Sequence, residues 1–193
     1  GYFRHETGYK SPEVLLRDLI TVVSRGGNFL LDIGPSPEGE FPPESVARLR
    51  AIGEWMKVNS DALYATRPWI VEREIHEAPT LTAKHNGTDA MVGKDAINDA
   101  TSQSIEPELR FTQKGCDVFL FAMSWHEAVV SAKSLSSSKL KVQALEMLGT
   151  SAPISWHQDE VSLTVQLPAG YATAAMPIYV FRVALQGSVS STA

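Results

Sequence analysis

Apolar positions recur at intervals of three and four from about Ser11 to Arg25. Leu15, Leu16, Leu19, Ile20, Val22 and Val23 fall on one side, and Glu13 and Arg17 form an i,i+4 pair on the other. This spacing predicts a helix. Ser11-Pro12-Glu13 sets a capping hydroxyl, a first-turn proline and a carboxylate where the positive end of a helix favours them, and Gly26-Gly27 supplies the backbone freedom that ends one. The next run, Asn28 to Gly34, has apolar residues facing both ways, the pattern of a strand fully buried in a parallel sheet. Turn residues fill Pro35 to Phe41, and Pro42-Pro43-Glu44-Ser45 opens a second helix carrying Val46, Leu49, Ile52, Met56 and Leu63. Helix, buried strand, loop and helix is the alternation of an α/β parallel sheet.

Beyond Arg67-Pro68-Trp69 the helical period disappears. Leu109 to Thr112, Asp117 to Ala122, Val161 to Leu167 and Ile178 to Val183 read as strands, several of them alternating apolar with polar. Asn86-Gly87, Lys114-Gly115, Ser136-Ser137-Ser138, Gly149 and Pro168-Ala169-Gly170 punctuate them, and a small antiparallel sandwich is the natural closure for so many short strands. Residues 87–104 are expected to form an exposed loop and residues 188–193 a loose tail.

Composition narrows the classes. With 193 residues, 44% of them hydrophobic and 20% charged, the chain can fill a sizeable core, which excludes wholesale disorder. A net charge of -5 without a basic stripe argues against a nucleic-acid partner. No apolar run approaches the roughly 18 residues of a membrane span. The opening GYFRHETGYK has neither an initiator Met nor a signal-type apolar region, so the chain is expected to begin inside something longer or to have been processed. Cys116 is alone, which leaves the redox compartment unread.

No hydrolytic set announces itself. His5-Glu6, His76-Glu77 and His126-Glu127 lack the HExxH spacing of a metal site and read as surface residues, and there is no GxSxG elbow. Gly26-Gly27-Asn28 precedes a strand, whereas a phosphate cradle follows one. Asn86-Gly87-Thr88 fits a glycosylation acceptor but reads better as a hairpin turn. Asn28 and Asp32 are more informative. Four apart on a strand, they share a face with Leu30, and a buried carboxylate requires partners. They would either face a barrel interior near its active end or tie neighbouring strands by hydrogen bonds, the second being the better reading.

Three phrases then carry a family resemblance: Gly1 to Arg4 followed by Tyr9-Lys10-Ser11-Pro12-Glu13; Val22 to Pro35; and Ile52 to Asn59 with Ala62 to Trp69. In order and spacing this stretch resembles the end of the catalytic domain of α-L-fucosidases, retaining glycoside hydrolases of family 29. Members commonly have Asn where this chain has Asp32 and Gly where it has Ala65. The second half, with Leu109 to Thr112, Val142 to Gly149 and Ser155-Trp156, is similar to the C-terminal β-sandwich of those enzymes.

The resemblance implies the last βα units of a (β/α)8 TIM barrel over residues 1–68, an antiparallel β-sandwich over 69–187 and a flexible tail over 188–193. A whole barrel takes roughly 250 residues. Ser11 to Arg25 would be its seventh helix, Asn28 to Pro35 its eighth strand and Pro43 to about Asn59 its eighth helix. The family's nucleophilic Asp and acid/base Glu lie upstream of everything matched here, so no catalytic residue is carried over. Tyr2, Phe3, Arg4 and His5 would follow the seventh strand and meet the sugar, with Asn28 and Asp32 behind them. The two-carboxylate mechanism needs no cofactor or metal. The partners implied are the N-terminal part of the same barrel and a fucosylated glycan, with self-association also compatible. The family's compartments are periplasmic, extracellular or lysosomal. The alternative is a non-catalytic carbohydrate-binding or interaction module that keeps the sandwich alone.

Overall fold

The computed structural model describes residues 8–75, 107–171 and 178–186. Helix α1 spans Pro12–Ser24, and the Ser11 hydroxyl caps it by accepting the Val14 N–H at 3.2 Å. Leu16, Ile20 and Ser24 recur one turn apart along its buried stripe. Helix α2 spans Pro43–Asn59 and runs into a single 3₁₀ turn at Ser60–Ala62, so Leu63 lies past the helix while Leu49 stays on its exposed side.

Among the described residues eight strands follow: β1 Arg67–Ile75, β2 Glu108–Lys114, β3 Asp117–Met123, β4 Val129–Ala132, β5 Val142–Met147, β6 Trp156–Gln158, β7 Leu163–Gln166 and β8 Ile178–Leu185. They form a five-stranded sheet in the order β1-β2-β3-β8-β5 and a three-stranded sheet in the order β4-β7-β6. Every pairing among the described residues is antiparallel. Lys114 pairs with Asp117 across a tight hairpin in which Gly115 takes φ 62, a backbone that favours glycine. β1 carries Pro68, and its register shifts between Pro68 and Arg73, as suits an edge strand.

The five-stranded sheet is covered on both faces. Val118, Leu120 and Ala122 of β3, with Tyr179, Phe181 and Val183 of β8, pack with Val130, Leu163 and Val165 of the smaller sheet. The alternate residues Phe119, Phe121, Met123, Ile178 and Val180 pack with Leu16, Ile20, Trp55, Ala62 and Leu63 of the helical layer. β3 is therefore apolar at almost every position because neither of its faces meets water.

Two expectations are corrected. Asn28 to Gly34 forms no strand, and Leu30 in its middle is 91% exposed. A strand is held by its pairing neighbours, and among the described residues this segment belongs to neither sheet. The helices accordingly pack on an antiparallel sheet, with no parallel pairing among the described residues. The i,i+4 pair Glu13 and Arg17 does not lie on a solvent face either. Both side chains reach Ser124 at the end of β3. Residues 87–104, the tail, His5-Glu6, His76-Glu77 and Asn86-Gly87-Thr88 lie outside the described residues.

Candidate functional site

Tyr2, Phe3, Arg4 and His5 lie outside the described residues. Asn28 and Asp32 are exposed, not turned together onto a buried face, because the segment between them is not a strand. Asn28 does border a cleft of about 600 Å³ between the two helices, whose walls include Val23, Phe29, Ile52 and Met56. Asp32 is not among its lining residues. Leu19, Val23 and Ile52 on its walls are only partly covered by the core they pack against. Tyr64 at its rim is 66% exposed, and Leu30 and Leu31 continue from the lip in sequence.

A second feature was hidden in the alternation of β2. Glu108, Arg110 and Thr112 look like a solvent face, yet all three are buried beneath the helical layer. The Glu108 carboxylate, 6% exposed, accepts from Arg73 Nε at 2.5 Å and faces Arg110 Nε and Arg17 Nη2 at 3.4 Å each. Arg17 Nη1 also donates to the Ser124 hydroxyl at 2.9 Å, and that hydroxyl donates to Glu13. Burial holds the Arg17 and Arg110 guanidiniums below their ordinary value, with Glu108 opposing the shift in both. Arg110 Nη1 is buried without a hydrogen-bond partner among the described residues.

The chemistry of this cluster is restricted. Glycoside hydrolysis needs two carboxyl groups open to the sugar, and Glu108 is enclosed among three guanidiniums. The cluster ties α1 to β1, β2 and the end of β3. Sequence reasoning missed it because each residue looked like ordinary surface, and the one available signal was an arginine-glutamate pair on a helix bound to pack against a sheet. Among the described residues no group of three or more His, Cys, Asp or Glu could hold a metal ion, and no helix is long and apolar enough to cross a membrane. His126 is exposed, as expected, and so is His157.

Known proteins resemble the chain on both of its halves. The family model described as Alpha-L-fucosidase matches residues 1–61, and that described as Alpha-L-fucosidase C-terminal domain matches residues 101–184. The alpha-L-fucosidase of Dictyostelium discoideum is 45% identical over 89 residues, covering 45% of this chain and 19% of its own length. That of Branchiostoma floridae is 28% identical over 171 residues, 87% of this chain and 31% of its own length. Among solved structures, the Thermotoga maritima alpha-fucosidase aligns with a TM-score of 0.66 at 23% identity, over 95% of this chain and 36% of that one. Alpha-L-fucosidase isoenzyme 1 from Paenibacillus thiaminolyticus aligns with a TM-score of 0.68 at 21% identity, over 97% and 37%. The chain spans about a third or less of the length of the relatives it matches. At such identities the structural likeness bears on the fold, and it agrees with a C-terminal β-domain of antiparallel sheets.

Proposed function

The chain belongs to the α-L-fucosidase family, and on that premise we propose that it forms the end of a (β/α)8 barrel with the β-domain behind it, in an enzyme that hydrolyses terminal α-L-fucosyl linkages with retention. The observation that carries this reading is the pair of matches in chain order, one to the α-L-fucosidase family over residues 1–61 and one to its C-terminal domain over residues 101–184. In this reading residues 1–68 complete the barrel, with α1 as the seventh helix, Asn28 to Pro35 as the eighth strand and α2 as the eighth helix. Residues 69–187 are the β-domain.

The exposure of Asn28 to Ile33 supports the assignment. A segment apolar on both faces yet outside any strand among the described residues, beside a cleft walled by Val23, Ile52 and Met56, has the character of a strand whose neighbours belong to the rest of the barrel. The reaction then proceeds through carboxyl groups of that other part. One attacks the anomeric carbon, a second protonates the leaving oxygen, and water hydrolyses the glycosyl-enzyme. This chain contributes Tyr2, Phe3, Arg4 and His5 at the sugar mouth, where βα loops build the active site of such barrels. Aromatic rings there pack on apolar sugar faces, and Arg and His donate to hydroxyls. Asn28 and Asp32 support them from the next strand.

The test is reconstitution. The isolated chain is expected to show no turnover of an aryl α-L-fucoside, and addition of the N-terminal part of the barrel is expected to restore it. Hydrolysis by the pure chain, abolished by mutating one of its own carboxylates, would overturn the division of labour. Failure of the two parts to associate or to act would favour a non-catalytic module.

A further inference from the structure

The family matches divide the chain between helices and sheet. The first, over residues 1–61, takes in α1 and α2, and the second, over residues 101–184, takes in β2 and nearly all of β8. Burial divides the chain elsewhere. Every buried apolar side chain of residues 8–66, from Leu16 to Leu63, lies in the cluster shared with Phe119 and Phe121 of β3 and Val180 of β8. The helices therefore have no apolar interior of their own among the described residues, and a domain that folds alone needs one.

Polar ties follow the same line. The buried Ser124 hydroxyl, directly after β3, accepts from Arg17 Nη1 at 2.9 Å and donates to Glu13, so that one side chain of the β-domain holds α1 at two points a turn apart. Both bonds are charge-assisted and made out of water, where such bonds are strong. Arg17 Nη2 also meets Glu108 of β2 at 3.4 Å. α2 and the turn after it are held as firmly. Trp55 Nε1 donates to the Ile178 carbonyl at 3.3 Å, and the Thr112 hydroxyl donates to the Ala62 carbonyl at 2.7 Å. In the turn after β5, Gly149 takes φ 83, and a Cβ there would lie 2.6 Å from Val58 Cγ1, so backbone and helix meet closely. Residues 28–41, between the helices, belong to neither core cluster.

We infer that α1, α2 and the β-domain fold as one cooperative unit, from which residues 28–41 stand apart. On the reading above that residues 1–68 end a barrel, the β-domain is the scaffold that holds the last two barrel helices in place before the rest of the barrel joins them. The unit itself does not depend on where the catalytic carboxyl groups lie.

Hydrogen exchange of the 193-residue chain, read by mass spectrometry, tests this. The slowest amides of α1 and α2 are expected to show protection factors within about tenfold of those in β3 and β8, with residues 28–41 exchanging far faster. Helix amides more than about tenfold less protected than the two strands would overturn the inference, as would residues 28–41 protected like the core. Arg17→Met then asks whether the parts are linked. It removes charge-assisted bonds on α1 alone, and is expected to lower protection in α1, β3 and β8 by a common factor of roughly 10 to 100. A loss confined to α1 would show that helix and sheet open separately. If Arg17→Met does not fold, the milder Ile20→Val carries the same comparison at roughly two- to tenfold. Neither readout involves turnover, so a chain without any part in fucoside hydrolysis can pass this test and a chain of the active enzyme can fail it.

Discussion

The indole N–H of Trp55 on α2 donates to the main-chain carbonyl of Ile178 at the start of β8, 3.3 Å away and 123 residues along the chain. This bond crosses the boundary between the helical layer and the five-stranded sheet, within the cluster that also holds Leu16, Ile20 and Phe121. Trp55→Phe keeps most of the ring and loses the donor, and is expected to cost about 1–2 kcal/mol in urea unfolding. Trp55→Ala also opens a cavity and should cost about 3–5 kcal/mol. Equal costs for the two would show that neither packing nor shape matters there.

Thr112 makes a second tie of this kind. Its buried hydroxyl donates to the Ala62 carbonyl at 2.7 Å, joining β2 to the turn after α2. Thr112→Val preserves shape but leaves the carbonyl facing a methyl group, with an expected loss of about 1–3 kcal/mol. Thr112→Ser, which keeps the donor, should lose less, and the same unfolding measurement compares them.

Ala65 takes φ 57 in the turn that leads to β1. A Cβ is disfavoured there by about 1–2 kcal/mol, offset in part by the extra freedom glycine has when unfolded. Ala65→Gly is therefore expected to raise stability by up to about 1 kcal/mol. A lower thermal midpoint for that variant would show that the methyl group is making contacts that outweigh the strain.

Asp159 is held below its ordinary value of 3.8 by the backbone N–H groups of Ser162 and Val161, which its carboxylate accepts at 2.8 Å each. A carboxyl group with a depressed folded value stabilises the fold above the unfolded value and loses that contribution as pH falls through the folded one. The stability difference between the natural chain and Asp159→Asn, which retains an acceptor without the charge, should thus be present near pH 6 and shrink below about pH 4. A pH-independent difference would assign the turn before β7 to shape alone.

The starts of the two helices were legible almost to the residue, because Ser11-Pro12-Glu13 and Pro42-Pro43-Glu44 state them in local chemistry, while the apolar pattern ran the second helix on to Leu63, past its end at Asn59. β2, β3, β7 and β8 were legible as strands, whereas β1, with its proline and charges, and the four-residue β4 were not. One signal gave two outcomes. A run apolar on both faces means a strand buried twice over in β3, where sheet and helices supply the cover, and a segment outside both sheets at Asn28 to Ile33, with Leu30 open to solvent. Pairing is a property of two segments, and a single run of residues carries half of it. Ser124 and the Glu108 cluster were illegible for a related reason: a polar residue on a strand announces a solvent face until the element that covers it is known.

The place of β8 in the sheet bears on how the molecule is made. It is the last strand described, yet it lies between β3 and β5, and β5 has no other neighbour in that sheet. As the chain leaves the ribosome, β1, β2 and β3 can associate early, but β5 must wait outside until residues 178–185 emerge and slot in beside Val118 to Met123. Until then the edge of β3 that β8 will occupy keeps its backbone N–H and C=O groups open to any other strand that can pair with them.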